Sequence, residues 1–281
     1  MTIDFHTHIF PKYFRDERSR FFPEEPAFEL LYSSPKANIK GSADILRNME
    51  EEEIGISIVF GFPWKNPDHY RRHNDYILES TERAPGRLVG FCCFDPLTKE
   101  ATKEAERCLK AGMAGIGELA IYDSAFTEDT VLALKDIMDI GREYDVPLLL
   151  HVNEPVGHEY PGKIPMGLRQ IYALLQKYSQ NKIVLAHWGG GLFFYGLMKK
   201  DVKDVLDHVY FDTAASPYLY DPVVYNLAGH IIGFDRILLG SDYPLLKPGK
   251  YLKEMASAGL GKQAIRKITG ENAARLLNLP D

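Results

Sequence analysis

Two histidines spaced two apart are the first residues in this chain able to do chemistry. They lie in Thr2-Ile3-Asp4-Phe5-His6-Thr7-His8-Ile9, which reads as a short apolar strand. In an extended strand, residues i and i+2 point to the same face, so His6 and His8 converge on one point. Imidazole is a common ligand for zinc, iron and other borderline metals. The pair alone also suits two polar residues near a strand end. Four later strand-like runs each end on a further candidate ligand: Glu118, His151, His187 and Asp242. Singly, each has a plainer reading. His151 could be a hydrogen-bonded strand terminus, Glu118 a salt-bridge partner, and Asp242 a cap or turn residue before Tyr243-Pro244. Together, at successive strand ends, they favour one shared site.

The elements that must position these residues alternate along the chain. Apolar runs at 56–60, 88–94, 114–119, 146–151, 182–187, 209–213 and 236–242 follow the first strand. Helical patterns lie between them, at 42–53, 69–84, 100–111, 129–144, 167–179, 192–206 and 222–232, and two more follow at 250–258 and 262–277. Ser42 and Thr127 suit N-caps. Eight near-continuous apolar strands separated by helices predict parallel strands buried on both faces and a closed (β/α)8 TIM barrel, a single α/β domain over residues 1–281. No Gly-x-Gly-x-x-Gly fingerprint follows the first strand. In such a barrel the C-terminal strand ends share one rim, where ligands distant in sequence can meet. Residues 10–40, rich in aromatics and prolines without a clean period, predict a lid-like segment. Phe14, Phe21, Phe22, Phe28 and Tyr32 could roof a pocket there or pack on the scaffold.

Composition narrows the partners. The 281 residues carry a net charge of −6, with no basic footprint for nucleic acid. No apolar run approaches the roughly 18 residues of a membrane helix, and no charged-then-apolar leader precedes Ile3. Cys92, Cys93 and Cys108 suit buried thiols rather than a disulfide framework, so a soluble cytoplasmic protein is expected.

Asp4-Phe5-His6-Thr7-His8, Leu150-His151, Ala186-His187-Trp188-Gly189-Gly190 and Gly240-Ser241-Asp242-Tyr243-Pro244 together resemble the amidohydrolase superfamily. The most similar branch is the one with aminocarboxymuconate-semialdehyde decarboxylase and related benzoate-type decarboxylases, and Thr269 to Leu277 resembles that branch's terminal helix. The resemblance implies a divalent metal, usually zinc, at the barrel mouth. By it, His6, His8, His151 and Asp242 match the ligands of a single metal, and His187 matches a histidine that polarises or protonates substrate. It also makes a homodimer an expectation. Glu118 departs from that pattern and resembles instead the strand-four glutamate of TatD-like hydrolases. There a carboxylate bridges two metals, which here would draw His151 and His187 to a second ion. One or two ions therefore fit.

Three histidines and a carboxylate leave room for a water whose pKa the metal lowers. Asp242 could act as general base, and His187 could stabilise an oxyanion or protonate a leaving group. Trp64, Lys65, Arg71 and Arg72 after the second strand could meet an anion, or form a solvated helix face. Asn153 and His158, in the loop after the fifth strand, could also face a substrate, and Gly189 to Gly191 allow close backbone approach. The expectation is a metal-dependent hydrolase of a small polar, possibly carboxylated, substrate. Its alternatives are a nonoxidative decarboxylase at the same site and a non-catalytic zinc-binding barrel.

Overall fold

The first apolar run forms β1 (Ile3–His8), and seven more strands follow it round a barrel. They are β2 (Ile56–Phe60), β3 (Leu88–Cys92), β4 (Gly115–Leu119), β5 (Leu148–Leu150), β6 (Ile183–Leu185), β7 (Val209–Asp212) and β8 (Ile237–Leu238). The computed structural model describes residues 1–122 and 126–279. The sheet order follows the chain from β1 to β8, and every adjacent pair is parallel. The chain just past β8 closes the ring on β1. The Phe5 N–H donates to Leu239 O at 2.7 Å and the His8 N–H to Tyr243 O at 2.7 Å. The result is the expected (β/α)8 barrel.

The strands are buried almost throughout because both of their faces are covered. Phe5, Phe60, Phe91, Leu149, Val184 and Leu238 pack inside the barrel, while Ile116, Leu148, Leu150 and Ile183 meet the surrounding helices. Gly115 leaves room for the Phe91 ring, whose atoms lie 2.5 Å from where a Cβ would stand.

Several sequence expectations change in detail. The segment after β1 is not irregular: it folds into short helical turns at Lys12–Asp16, Arg18–Arg20 and Pro26–Tyr32. Its spacing hides these because each is shorter than the roughly 11-residue stretch over which a helical period shows. The 42–53 helix begins at Ser42, but the preceding residue is the cap, with the Gly41 N–H held by the Asp44 carboxylate at 3.0 Å. The 129–144 helix breaks at Leu134 into Glu128–Ala133, capped by Thr127 as expected, and Lys135–Glu143. The predicted 192–206 helix does not form as such. From His187 to Leu197 the chain makes 3-10 turns interrupted by left-handed Trp188, Gly189 and Gly190, and a regular helix resumes only at Lys200–Leu206. The glycine run accepts positive φ at little cost, so it favours tight turns over a helix. The last helix divides at a π-turn over Lys267–Glu271.

Candidate metal centre

His6 and His8 leave β1 on the same face, as their spacing requires. Each ring is tied at Nδ1 and turns Nε2 toward the mouth. His6 Nδ1 donates to Asp212 Oδ2 at 2.7 Å, and His8 Nδ1 donates to the Gly61 carbonyl at 3.0 Å. His187 follows the same plan, with Nδ1 on the Ala214 carbonyl at 3.0 Å. An acceptor on one ring nitrogen fixes the tautomer and orientation of the other, as is usual for metal-binding imidazoles.

The Nε2 atoms of His6 and His8 both lie 3.6 Å from Glu118 Oε2, and they stand 3.7 and 3.6 Å from Asp242 Oδ1. The other Glu118 oxygen faces His151 Nδ1 at 2.9 Å and His187 Nε2 at 3.4 Å. Three overlapping groups therefore bring donor atoms within 4.8 Å of one another: His6, His8 and Glu118; His6, His187 and Asp242; Glu118, His151 and His187. All six ligands expected from the sequence come together, with Glu118 at the centre.

This cluster fits a divalent metal on two counts. His6 Nε2 is fully buried without a hydrogen-bond partner, an arrangement that wastes a polar atom unless it binds something. The spacings of 3.6 and 3.7 Å also approach the roughly 3.4 Å edge of a tetrahedron with bonds of about 2.1 Å. Imidazoles mixed with carboxylates suit a transition ion better than calcium or magnesium, which prefer all-oxygen shells. His6, His8, Glu118 and Asp242 could hold one ion, and Glu118, His151 and His187 a second.

Electrostatics agree with that reading. Burial works against a charged His6, yet the Asp212 and Glu118 carboxylates outweigh it and hold its pKa well above the usual 6.5. Burial likewise opposes charge on His187, and Glu118 overcomes it to bring the pKa to about 9. Desolvation opposes ionisation of Glu118, but His6 and His151 keep its pKa well below the ordinary carboxylate value. The field that retains protons on these rings is the field that would retain a cation. His8 goes the other way, lowered first by burial and then by the charge on His6.

Asp212 was not among the residues expected from the sequence. Its Oδ2 takes the His6 ring, while its Oδ1 accepts from the His187 N–H at 2.8 Å and the Ala214 N–H at 3.0 Å. The signal was present: the seventh strand also ends on a carboxylate. Asp4 was passed over too. Its carboxyl, pushed up to about 7 by burial, accepts from the Ser241 N–H and hydroxyl and so locks β1 against the turn that carries Asp242.

The expected substrate-facing residues divide. Trp64 is fully buried, its indole 4.5 Å from both Phe14 and Phe28, with its N–H on His73 Nδ1 at 2.9 Å. It therefore packs the lid onto the barrel and offers a substrate nothing, because the lid aromatics that follow β1 cover it. Phe14, Phe21 and Phe28 share that buried packing. Arg72 lies over the Tyr13 ring at 4.2 Å and Arg71 reaches toward Glu104 at 3.8 Å, so neither joins the cluster. Asn153 is buried and pins the loop after β5, accepting the Ile164 N–H at 2.9 Å. His158 stands exposed on that loop, its ring 6.1 Å from that of Tyr160. Tyr32, expected as a possible roof, and two rings that sequence spacing did not single out, Phe62 and Tyr122, lead from the lid to the cluster. Tyr32 lies 6.0 Å from Phe62, Phe62 stacks 6.1 Å from Tyr122, and Tyr122 lies 6.0 Å from His151. Burial first, then the Glu118 and Asp242 carboxylates, keep the Tyr32 and Tyr122 phenols from ionising.

A parallel barrel with imidazoles and carboxylates converging at its C-terminal mouth is the architecture of a divalent-metal enzyme. A family model described as amidohydrolase matches residues 3–279, and the chain belongs to that family. Solved structures share the fold over nearly the full length. The 5-carboxyvanillate decarboxylase of Novosphingobium aromaticivorans, with manganese and 4-hydroxy-3-methoxy-5-nitrobenzoic acid, is 16% identical with a TM-score of 0.78, covering 99% of this chain and 96% of that one. The 5-carboxyvanillate decarboxylase of Sphingomonas paucimobilis is 14% identical with a TM-score of 0.76, covering 99% of each chain. The dihydroxybenzoic acid decarboxylase of Polaromonas sp. JS666, with manganese and 2-nitroresorcinol, is 20% identical with a TM-score of 0.70, covering 99% of this chain and 97% of that one.

Proposed function

We propose that this protein is a metal-dependent, nonoxidative decarboxylase of a small aromatic carboxylate. Full-length likeness to decarboxylases within the amidohydrolase family supports this reading over the hydrolysis expected from the sequence. The observation that carries it is the buried, unpartnered His6 Nε2 facing two carboxylates beneath an aromatic wall. His6, His8, Glu118 and Asp242 hold the metal, with His151 and His187 on the far oxygen of Glu118. Bound there, a divalent ion would supply Lewis-acid chemistry at the mouth. Two of the similar structures named above hold manganese, so manganese stands beside zinc as the candidate ion.

This chain's own groups manage the proton and the charge. Asp242, the most open of the cluster carboxylates, relays a solvent proton to the ring carbon through the oxygen turned away from the histidines. The bond from that carbon to the carboxylate breaks, carbon dioxide leaves, and a carbon–hydrogen bond takes its place. One solvent proton is consumed per turnover. His187 steadies the negative charge that builds on the substrate. Tyr122, partly exposed and 6.0 Å from His151, offers a face on which a flat ring can stack.

The test is turnover of hydroxylated benzoates in deuterium oxide. Carbon dioxide release with one deuteron on the vacated carbon is expected. Cleavage of esters, lactones or amides with solvent oxygen in the product would instead favour hydrolysis, the second reading, which the central placement of Glu118 keeps in contention.

A further inference from the structure

A buried hydrogen-bond chain runs from the protein surface to the backbone of Glu118. It begins at Arg107, on the helix Ala101–Lys110, whose Nη1 lies 2.8 Å from Asp75. The same guanidinium donates from Nε and Nη2 to the two oxygens of Glu104, at 2.8 Å each. Glu104 is almost fully buried and accepts from the Asn74 amide at 2.9 Å. Asn74, itself fully buried, accepts the Cys93 N–H on its own carbonyl oxygen at 3.0 Å. The Cys93 thiol then donates to the carbonyl oxygen of Glu118 at 3.0 Å.

Glu118 needs such a hold more than its neighbours on the strand do. The pairing of β4 with β5 shifts register between Ile116 and Leu119, and that with β3 runs through Gly115 and Ile116. Gly117, at φ +136°, turns the backbone just before the ligand, and a Cβ there would fall on the Leu149 carbonyl. Regular sheet bonding thus weakens at the residue that faces four histidines. A buried carboxylate gripped by a two-pronged arginine is costly to desolvate, and its return here is a fixed aim for Asn74 and Cys93.

We propose that Cys93, held by the Asn74–Glu104–Arg107 chain, is a positioning residue for Glu118 and through it sets the affinity of the metal centre. The inference rests on the metal reading above. Its test is a manganese titration of the full-length protein, followed by electron paramagnetic resonance of the free ion, with folding checked by circular dichroism. Wild type is compared with Cys93→Ala, which loses the donor, and Cys93→Ser, which keeps one. Cys93→Ala is expected to bind manganese about 10-fold more weakly, and Cys93→Ser to stay within about threefold of wild type. Should Cys93→Ala not fold, Asn74→Ala gives the same reading, with several-fold weaker binding expected. Wild-type affinity in the variant read, or equal losses in the Ser and Ala variants, would overturn the proposal. Wild-type protein that takes up no manganese would overturn the metal reading itself, and this proposal with it.

Discussion

Asp212 orients His6 through one oxygen and fixes the His187 backbone through the other, so its charge and shape act on both halves of the cluster. Asp212→Asn keeps the shape but weakens the bond that aims the His6 ring, and we expect metal binding to fall about 10- to 100-fold, read as bound metal after dialysis. The imidazoles and carboxylates of the cluster were legible in sequence because each follows an apolar run. Asp212 follows one too, but spacing does not distinguish a carboxylate that binds a metal from one that binds an imidazole. His73 shows the converse: a histidine with a purely structural task. Burial depresses its pKa from 6.5 to about 3, and its ring accepts from Trp64 at Nδ1 and donates to the Ile9 carbonyl from Nε2. The unfolded chain takes up a proton on this ring below pH 6.5, and the folded chain resists until about pH 3. Its stabilisation is therefore complete above pH 6.5 and is lost as the pH falls. Urea unfolding should show this ring removing about 2 kcal/mol between pH 7 and pH 5, a decrement absent from His73→Gln.

At the scale of elements, the turn after β6 and the lid after β1 do most to shape the mouth. Gly190 adopts φ +60°, and a Cβ there would fall on the Asn153 carbonyl. Gly190→Ala is thus expected to lose about 1–3 kcal/mol in denaturant unfolding, more than an exposed glycine such as Gly259 would lose. The glycine run was legible as a close approach of backbone, but not as the end of a helix, because Leu192 to Leu206 keeps an apolar pattern that either conformation satisfies. The lid was visible as a segment, not as structure. Its helical turns are too short for a period and exist because Phe14, Phe21 and Phe28 bury themselves around Trp64. Phe28→Ala should lower stability by about 3–5 kcal/mol, measured by the same unfolding assay.

For the molecule as a whole, the strand count, their order and the single barrel were readable because buried parallel strands write themselves as continuous apolar runs. The reaction was not, because hydrolysis and decarboxylation need the same imidazoles and carboxylates at the same rim. No helix among the described residues is long and apolar enough to cross a membrane. If the cluster holds a metal, chelation should lower the melting temperature. Adding the ion back at about 100 times its dissociation constant should restore about 2.7 kcal/mol, seen by calorimetry.

The seam between β1 and the segment after β8 joins Asp4 to Ser241, 237 residues away. A ribosome must therefore add 237 residues after Asp4 before the first histidines can meet Asp242. Until then the amide hydrogens of Phe5 and His8 have no Leu239 or Tyr243 to receive them. Loss of the C-terminal fifth would leave an open, sticky strand at the beginning of the chain as well as an incomplete mouth. A cation seated there would act as a rivet between two parts of the chain synthesised far apart in time.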